Sequence, residues 1–237
     1  LVGAGLLPPV AERTGPEPLV LRGPDGPGVY GGIWSDAVTW DSQAWDRMNR
    51  YNAGVTLARW SPSGYPIVPH VAKSWESSPD QRVWTFHLRR GMKWSDGHPF
   101  TADDFVYWYE WEVLYFQRRG YALNDDGYRL LRSGGGHGRV EKVDAHTVRF
   151  VFPSPNPFFL ELVAGTSVKE LFAPRHYLEP YHPERGDRAL VGEIMRRRRF
   201  TDPHQVYLEV RREDNPAHPR INPWIYRRHR THAPHSF

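Results

Sequence analysis

The sequence predicts an α/β fold, a mixed sheet with helices around it, and three observations carry that reading. Short runs of alternating character between turn signals point to strands, and a strongly capped segment at Thr101 points to a long helix. The third is ring content: aromatic residues make up 14% of the 237-residue chain, with ten Trp, against 39% hydrophobic residues in all. Each ring removes a large apolar area from water, so this composition belongs to a folded chain with a ring-built core or binding surface.

Residues 8–29 are crowded with Pro and Gly, including Pro8-Pro9, Gly15-Pro16 and Gly23-Pro24, and read as an extended arm on a surface. Near Val29 the chain turns to Val-Tyr-Gly-Gly-Ile-Trp, which suits a strand entering the sheet. Asp41 is placed to cap a helix reaching Asn52, with Ala44, Met48 and Tyr51 at helical spacing. From Val55 to Leu88 short strands alternate with turns. Ser61-Pro62-Ser63-Gly64 follows Leu57-Ala58-Arg59-Trp60, and Ser77-Ser78-Pro79-Asp80 separates Ala72–Glu76 from Val83–Leu88. In the last run Trp84, Phe86 and Leu88 share one face, which predicts a half-buried strand.

Thr101-Ala102-Asp103-Asp104 predicts a helix start. The Thr101 hydroxyl can accept a backbone amide while Asp104 reaches back to the cap, and both acids favour the positive end of the helix dipole. The helix is expected to run to about Gln117, with Val106, Tyr109, Val113 and Phe116 on one stripe. Tyr107, Trp108, Trp111 and Tyr115 fall on other sides, too many rings for one core-facing stripe. Ser133–Gly138 reads as a flexible loop. Arg139–Val143 and Thr147–Phe152, joined at Asp144-Ala145-His146, read as a hairpin. A short apolar run covers Phe158–Val163. Two or three short polar helices are expected to fill the last third, started at Ala173-Pro174 and Asp202-Pro203 with Asp202 as a cap.

The composition excludes several classes of chemistry. There is no Cys, so disulfides, thiolate zinc sites, iron–sulfur clusters and thiol nucleophiles are absent. No apolar stretch is long enough to span a bilayer as a helix. Leu1–Leu7 lacks the charged start of an intact signal peptide, and the first residue is not Met, so the numbering is expected to begin inside a longer gene product. The formal net charge of +4 is uneven: Arg175–Phe237 holds 13 Lys+Arg against 8 Asp+Glu, leaving 18 against 19 elsewhere. A basic module for nucleic acid or a charged surface is therefore an alternative to solvated arginines on an exposed helix.

Each candidate for chemistry has a plain structural explanation beside it. Asp103-Asp104 could be paired carboxylates, but adjacent helical residues point about 100° apart and capping accounts for both. Ser133–Gly138 is glycine-rich without the Lys-Ser/Thr ending of a phosphate loop. His229, His232 and His235, with His204 and His218 upstream, could hold a metal, yet sit in a tail with no predicted scaffold. Arg196–Arg199 is read as a solvated helix face. No nucleophile–base pair emerges, and no enzyme is expected.

One stretch is recognisable. Trp84-Thr85-Phe86-His87-Leu88-Arg89-Arg90-Gly91-Met92-Lys93-Trp94-Ser95-Asp96-Gly97, followed by Pro99-Phe100-Thr101-Ala102-Asp103-Asp104, resembles the signature of the peptide- and nickel-type extracellular solute-binding proteins, family 5. Val68–Glu76, Tyr30–Trp34, Val140–Phe152 with Pro155-Asn156-Pro157, Ala173–Leu178 and Asn222-Pro223-Trp224 resemble further landmarks of that family, in order from about residue 8 to residue 224. The resemblance implies lobe I of a two-lobe binding protein, here incomplete: an arm over 1–29, a lobe I fragment over 30–224 and a loose basic tail over 225–237. It implies capture of a peptide-like or oligosaccharide-like solute at the periplasmic or extracellular face of the cytoplasmic membrane and delivery to an ABC permease. No cofactor and no nucleic-acid partner are expected, and a lipid anchor on the full-length protein is left open. By position, Asp36 and Trp40 after the first strand and Tyr121 after the aromatic helix are the expected ligand-facing residues.

Overall fold

Four of the five strand pairs among the described residues are hairpins, in which a short turn folds a strand back on its predecessor, and the fifth joins Val83–Leu88 to the remote Thr147–Val151. The computed structural model describes residues 15–20, 26, 55–121, 125–165, 171–212 and 215–221. The main sheet contains β3 (Ala72–Ser77), β4 (Val83–Leu88), β7 (Arg139–Asp144) and β8 (Thr147–Val151) in the order β3-β4-β8-β7. Every pair in it is antiparallel. The α/β class therefore holds, and among the described residues the ladders of the expected mixed sheet are all antiparallel. A small hairpin of β1 (Ala58–Trp60) and β2 (Ile67–Pro69) precedes it, turning at Ser61–Gly64.

Ser133–Gly138 is not a flexible loop. It forms a second small hairpin, β5 (Arg132–Ser133) with β6 (Gly136–His137), closed by Gly134 and Gly135 at φ +55° and +81°. The glycines serve a tight turn in the left-handed region rather than a mobile linker.

One face of the sheet is a cluster of rings. Phe86 and Phe150 meet edge to face at 5.7 Å, and Phe159 packs on both from α4 (Phe159–Ala164), at 6.2 and 5.0 Å. Edge-to-face packing sets the positive ring edge on the negative ring face. Trp84 completes the face and donates its indole N–H to the Asn156 carbonyl at 3.2 Å.

The long helix begins where expected. In α1 (Ala102–Tyr107) the Asp103 N–H donates to Thr101 Oγ1 at 3.3 Å, and Asp104 Oδ2 accepts the Thr101 N–H at 3.0 Å. It then widens into a π-helical segment, Trp108–Leu114, and tightens again as α2 (Tyr115–Arg118). The widening alters which residues share a face. Phe105, Trp108, Glu112 and Phe116 are almost wholly buried, while Val106 and Tyr109 of the expected stripe are half-buried. Of the surplus rings Tyr107, Trp108 and Tyr115 are buried and Trp111 packs half-buried against the core, because the helix is covered on two sides, by the sheet and by the C-terminal helices.

Beyond α3 (Asp125–Leu130), the last third is helical as expected: α5 (Arg175–Leu178), a 3-10 turn (Glu179–Tyr181), α6 (Arg188–Arg198) and α7 (Pro203–Val210). Asp187 caps α6, and Asp202 caps α7 with Pro203 at its first position. No helix among the described residues is long and apolar enough to cross a membrane.

Candidate functional site

Of the three ligand-facing residues expected from the sequence, Asp36 and Trp40 lie outside the described residues, as do the strand at Tyr30–Trp34, the helix at Asp41–Asn52, Asn222–Trp224 and the histidines of the tail. Tyr121 is described, and the structure places it at the junction of the aromatic helix with α7. Its hydroxyl donates to Asp202 Oδ2 at 2.6 Å and its ring stacks on His204 with centroids 4.9 Å apart. His204 Nδ1 meets Asp202 Oδ1 at 2.6 Å, and the Tyr115 hydroxyl meets His204 Nε2 at 3.1 Å. The Tyr121 hydroxyl, two backbone and side-chain bonds from His204 and the histidine's charge hold the Asp202 carboxyl at about 2, well below its ordinary range.

The hydroxyl–imidazole–carboxylate order invites a catalytic reading, and the chemistry argues against it. Burial pushes the Tyr115 phenol up, and the hydrogen bond to Asp202 pushes the Tyr121 phenol up, so both stay protonated at neutral pH. Neither is an activated nucleophile. The same atoms have a structural use, since Asp202 Oδ1 also caps α7 through the His204 N–H at 2.9 Å.

Deeper in the same junction His182 is 1% exposed and surrounded by Trp111, Tyr115, Phe116 and Tyr207, all near edge-to-face. Its Nδ1 accepts the N–H groups of Glu184 and Arg185 at 3.2 and 3.3 Å, which fixes the neutral tautomer with the proton on Nε2. Burial, reinforced by nearby Arg185, depresses its pKa to about 4. Two guanidinium groups close the cluster from outside: Arg119 lies 3.9 Å from the Tyr115 ring centroid and ion-pairs with Glu184, and Arg185 lies 4.5 Å from Trp111. Below it Glu112, fully buried, accepts Arg211 Nε and Nη2 at 2.6 and 3.0 Å and the Tyr207 hydroxyl at 2.9 Å. Neither His182 nor the Glu112–Arg211 pair carried a sequence signal, because their partners are remote along the chain.

The N-terminal arm makes a second feature. Residues 15–19 lie against the ends of β2 and β4 and enclose a pocket of about 180 Å³, lined among others by Leu19, Val55, His70, Arg89, Met92 and Ile221. Glu17 anchors the arm through Lys73 Nζ at 2.8 Å and the Arg90 N–H at 2.9 Å. The approach is close enough to need glycine: a Cβ on Gly91, at φ +78°, would sit 2.3 Å from Pro16 Cδ. The pocket suits a few side-chain atoms rather than a whole oligomeric solute.

The adjacent carboxylates Asp103 and Asp104 resolve into structural roles. Asp103 pairs with Lys142 at 2.8 Å, whereas Asp104 is buried and ties three segments together. No group of three metal-binding side chains exists among the described residues.

This architecture has close parallels among proteins named for binding solutes. The solved oligopeptide-binding protein OppA superposes on 95% of the chain with a TM-score of 0.74 and 34% identity. A binding protein, MelB of Agrobacterium fabrum C58, solved in complex with stachyose, covers the same share with a TM-score of 0.62 and 26% identity. The periplasmic alpha-galactoside-binding protein of Rhizobium meliloti is 33% identical over 207 residues, 77% of the chain. Fold and neighbours together define the class as solute-binding protein.

Within that class the assignment is specific. The model of the bacterial extracellular solute-binding proteins, family 5 Middle, matches residues 66–184, and the chain belongs to this family. It spans 28% of the length of the alpha-galactoside-binding relative and 34% of the OppA chain.

Proposed function

We propose that the chain forms part of lobe I of a binding protein that captures a peptide-like or oligosaccharide-like solute outside the cytoplasmic membrane and hands it to an ABC permease. The observation that carries this reading is the OppA superposition over 95% of the chain at 34% identity. Relatives named for peptides and for alpha-galactosides flank the chain at similar identity, which supports both solute classes. The periplasmic labels of those relatives support an extracytoplasmic location.

In the whole protein the mechanism is hinge closure. A solute touching both lobes gains contacts only when they meet, so it shifts the population toward the closed state by that difference in affinity. No covalent step and no cofactor enter this scheme. Within the chain the reading divides 1–29 as arm, 30–224 as lobe fragment and 225–237 as basic tail.

Asp36, Trp40 and Tyr121 are the residues proposed to face the solute. Rings suit this task because they offer rigid, low-entropy contact area to a sugar face or a peptide plane without demanding one side chain. For Tyr121 the anchoring of its hydroxyl on Asp202 supports a pre-set ring orientation. Equilibrium dialysis of the chain against labelled stachyose and a labelled oligopeptide pool tests the assignment. Trp40→Ala and Tyr121→Ala should each weaken uptake while leaving the far-ultraviolet circular dichroism intact; a Trp40→Ala chain that unfolds would place that ring in the core instead.

A further inference from the structure

The helix α6 contributes one buried side chain, Val191, from 11 residues. Packing therefore constrains its sequence very little, yet that sequence is strongly biased. Between Arg188 and Arg199 stand five arginines and one acid, Glu193, a net +4 that equals the formal charge of the whole chain. The molecule's basic charge is thus concentrated here and in the tail after residue 224, which adds Arg227, Arg228 and Arg230 without an acid.

Arg196, Arg197, Arg198 and Arg199 are exposed. Consecutive residues step about 100° around a helix, so the four ring its end as a cationic knob rather than forming a stripe. Arg198 reaches Glu209 at 3.8 Å, whereas Arg196, Arg197 and Arg199 have no ion pair among the described residues. Cations at a helix C-terminus are favoured by the dipole, which accounts for some of them. It does not account for Arg199, which sits at the cap with φ 59° and ψ 36°, a left-handed position where glycine costs less.

We propose that this knob docks on the anionic phospholipid headgroups of a membrane surface. Arginine forks match phosphate oxygens two at a time, and a compact cluster suits a plane of phosphates. The choice of a lipid surface rests on the extracytoplasmic reading above. None of the exposed large apolar side chains lies on α6 or α7, so the knob has neither a base-stacking ring for nucleic acid nor an apolar wedge for insertion. Binding is consequently electrostatic, reversible and salt-sensitive.

Co-sedimentation of the 237-residue chain with phosphatidylcholine vesicles, with and without phosphatidylglycerol, tests this. The chain should sediment with the anionic vesicles alone and be released in roughly 0.5 M salt, where screening lengths shrink to a few ångströms. A chain carrying Arg196→Gln, Arg197→Gln and Arg199→Gln should bind them about tenfold more weakly or worse. Equal sedimentation with neutral vesicles, indifference to salt in the wild-type chain, or a folded triple variant that binds like wild type would overturn the proposal. So would retention on duplex DNA without vesicle binding. Solute uptake in the same samples is a separate readout, so a failure of solute binding leaves the vesicle result interpretable.

Discussion

Replacing Asp104 with alanine removes one carboxylate and strands three donors at once. Asp104 Oδ2 accepts the Thr101 N–H at 3.0 Å and the Trp94 indole N–H at 3.1 Å, and Oδ1 accepts the Arg175 N–H at 3.2 Å. The Trp94 bond is buried, with Asp104 3% exposed and Trp94 2% exposed, and the Thr101 and Arg175 amides are part-buried, so water replaces these bonds only in part. At about 1 kcal/mol per stranded donor the loss is roughly 3 kcal/mol. Removing a buried carboxyl, whose pKa burial pushes up against those same hydrogen bonds, returns part of it. The expected net loss is about 2–3 kcal/mol, a fall in Tm of roughly 4–12 °C for a chain of this size. Thr101→Ala, which removes only the hydroxyl of the cap, should cost about 1 kcal/mol. Urea unfolding followed by tryptophan fluorescence and far-ultraviolet circular dichroism measures both. A loss under about 1 kcal/mol for Asp104→Ala, or one equal to Thr101→Ala, would refute the view that Asp104 staples the signature turn, the helix start and the 172–175 segment.

Glu112→Ala leaves Arg211 and Tyr207 facing an empty, buried acceptor position and should cost about 3–5 kcal/mol, whereas replacing Glu112 and Arg211 together by Leu should cost far less; chemical denaturation of the double-mutant cycle decides. His182 and His218 both sit at about 4 in the folded chain against 6.5 ordinarily. Their depressed values mean the unfolded chain binds protons first, so stability is full above about pH 6.5, falls as pH drops toward 4 and changes no further from these groups below that. His182→Asn, which keeps an acceptor for Glu184 and Arg185, should flatten this slope in denaturant titrations across that window; an unchanged slope would assign it elsewhere. Tyr121→Phe removes the first support of the Asp202 carboxylate, so the Asp202 carboxyl should titrate closer to its ordinary 3.8 by carbon NMR, and no movement would mean the 2.6 Å contact is not formed in solution.

The legible parts of the fold were those written locally. Trp84, Phe86 and Leu88 alternate along one strand, Thr101 and Asp104 sit three apart, and Asp202-Pro203 announces a helix within two residues. Each depends on neighbours along the chain, which a sequence displays directly. The aromatic helix was half legible. Its start and length were readable, but the π-helical widening at Trp108–Leu114 and the second layer of cover were not, and together they bury Tyr107, Trp108 and Tyr115 of the apparent surplus rings. Gly134-Gly135 looked like flexibility because a glycine turn and a glycine linker share a composition, and pairing of Arg132 with His137 decided between them. The candidate site was least legible. Tyr121 is marked by position alone, yet Asp202, the residue that orients it, lies far along the chain, and His182 depends on rings from two remote segments, the aromatic helix and α7.

The most direct test of the central claim is a thermal melt of the purified chain followed by near-ultraviolet circular dichroism, with and without mixed peptides and α-linked oligosaccharides. A cooperative transition is expected, with a midpoint that rises with one of the two pools and saturates, because a solute that binds only the folded lobe stabilises it by mass action. A cooperative transition that neither pool moves at saturating concentration would contradict the claim that this chain carries a solute-binding surface.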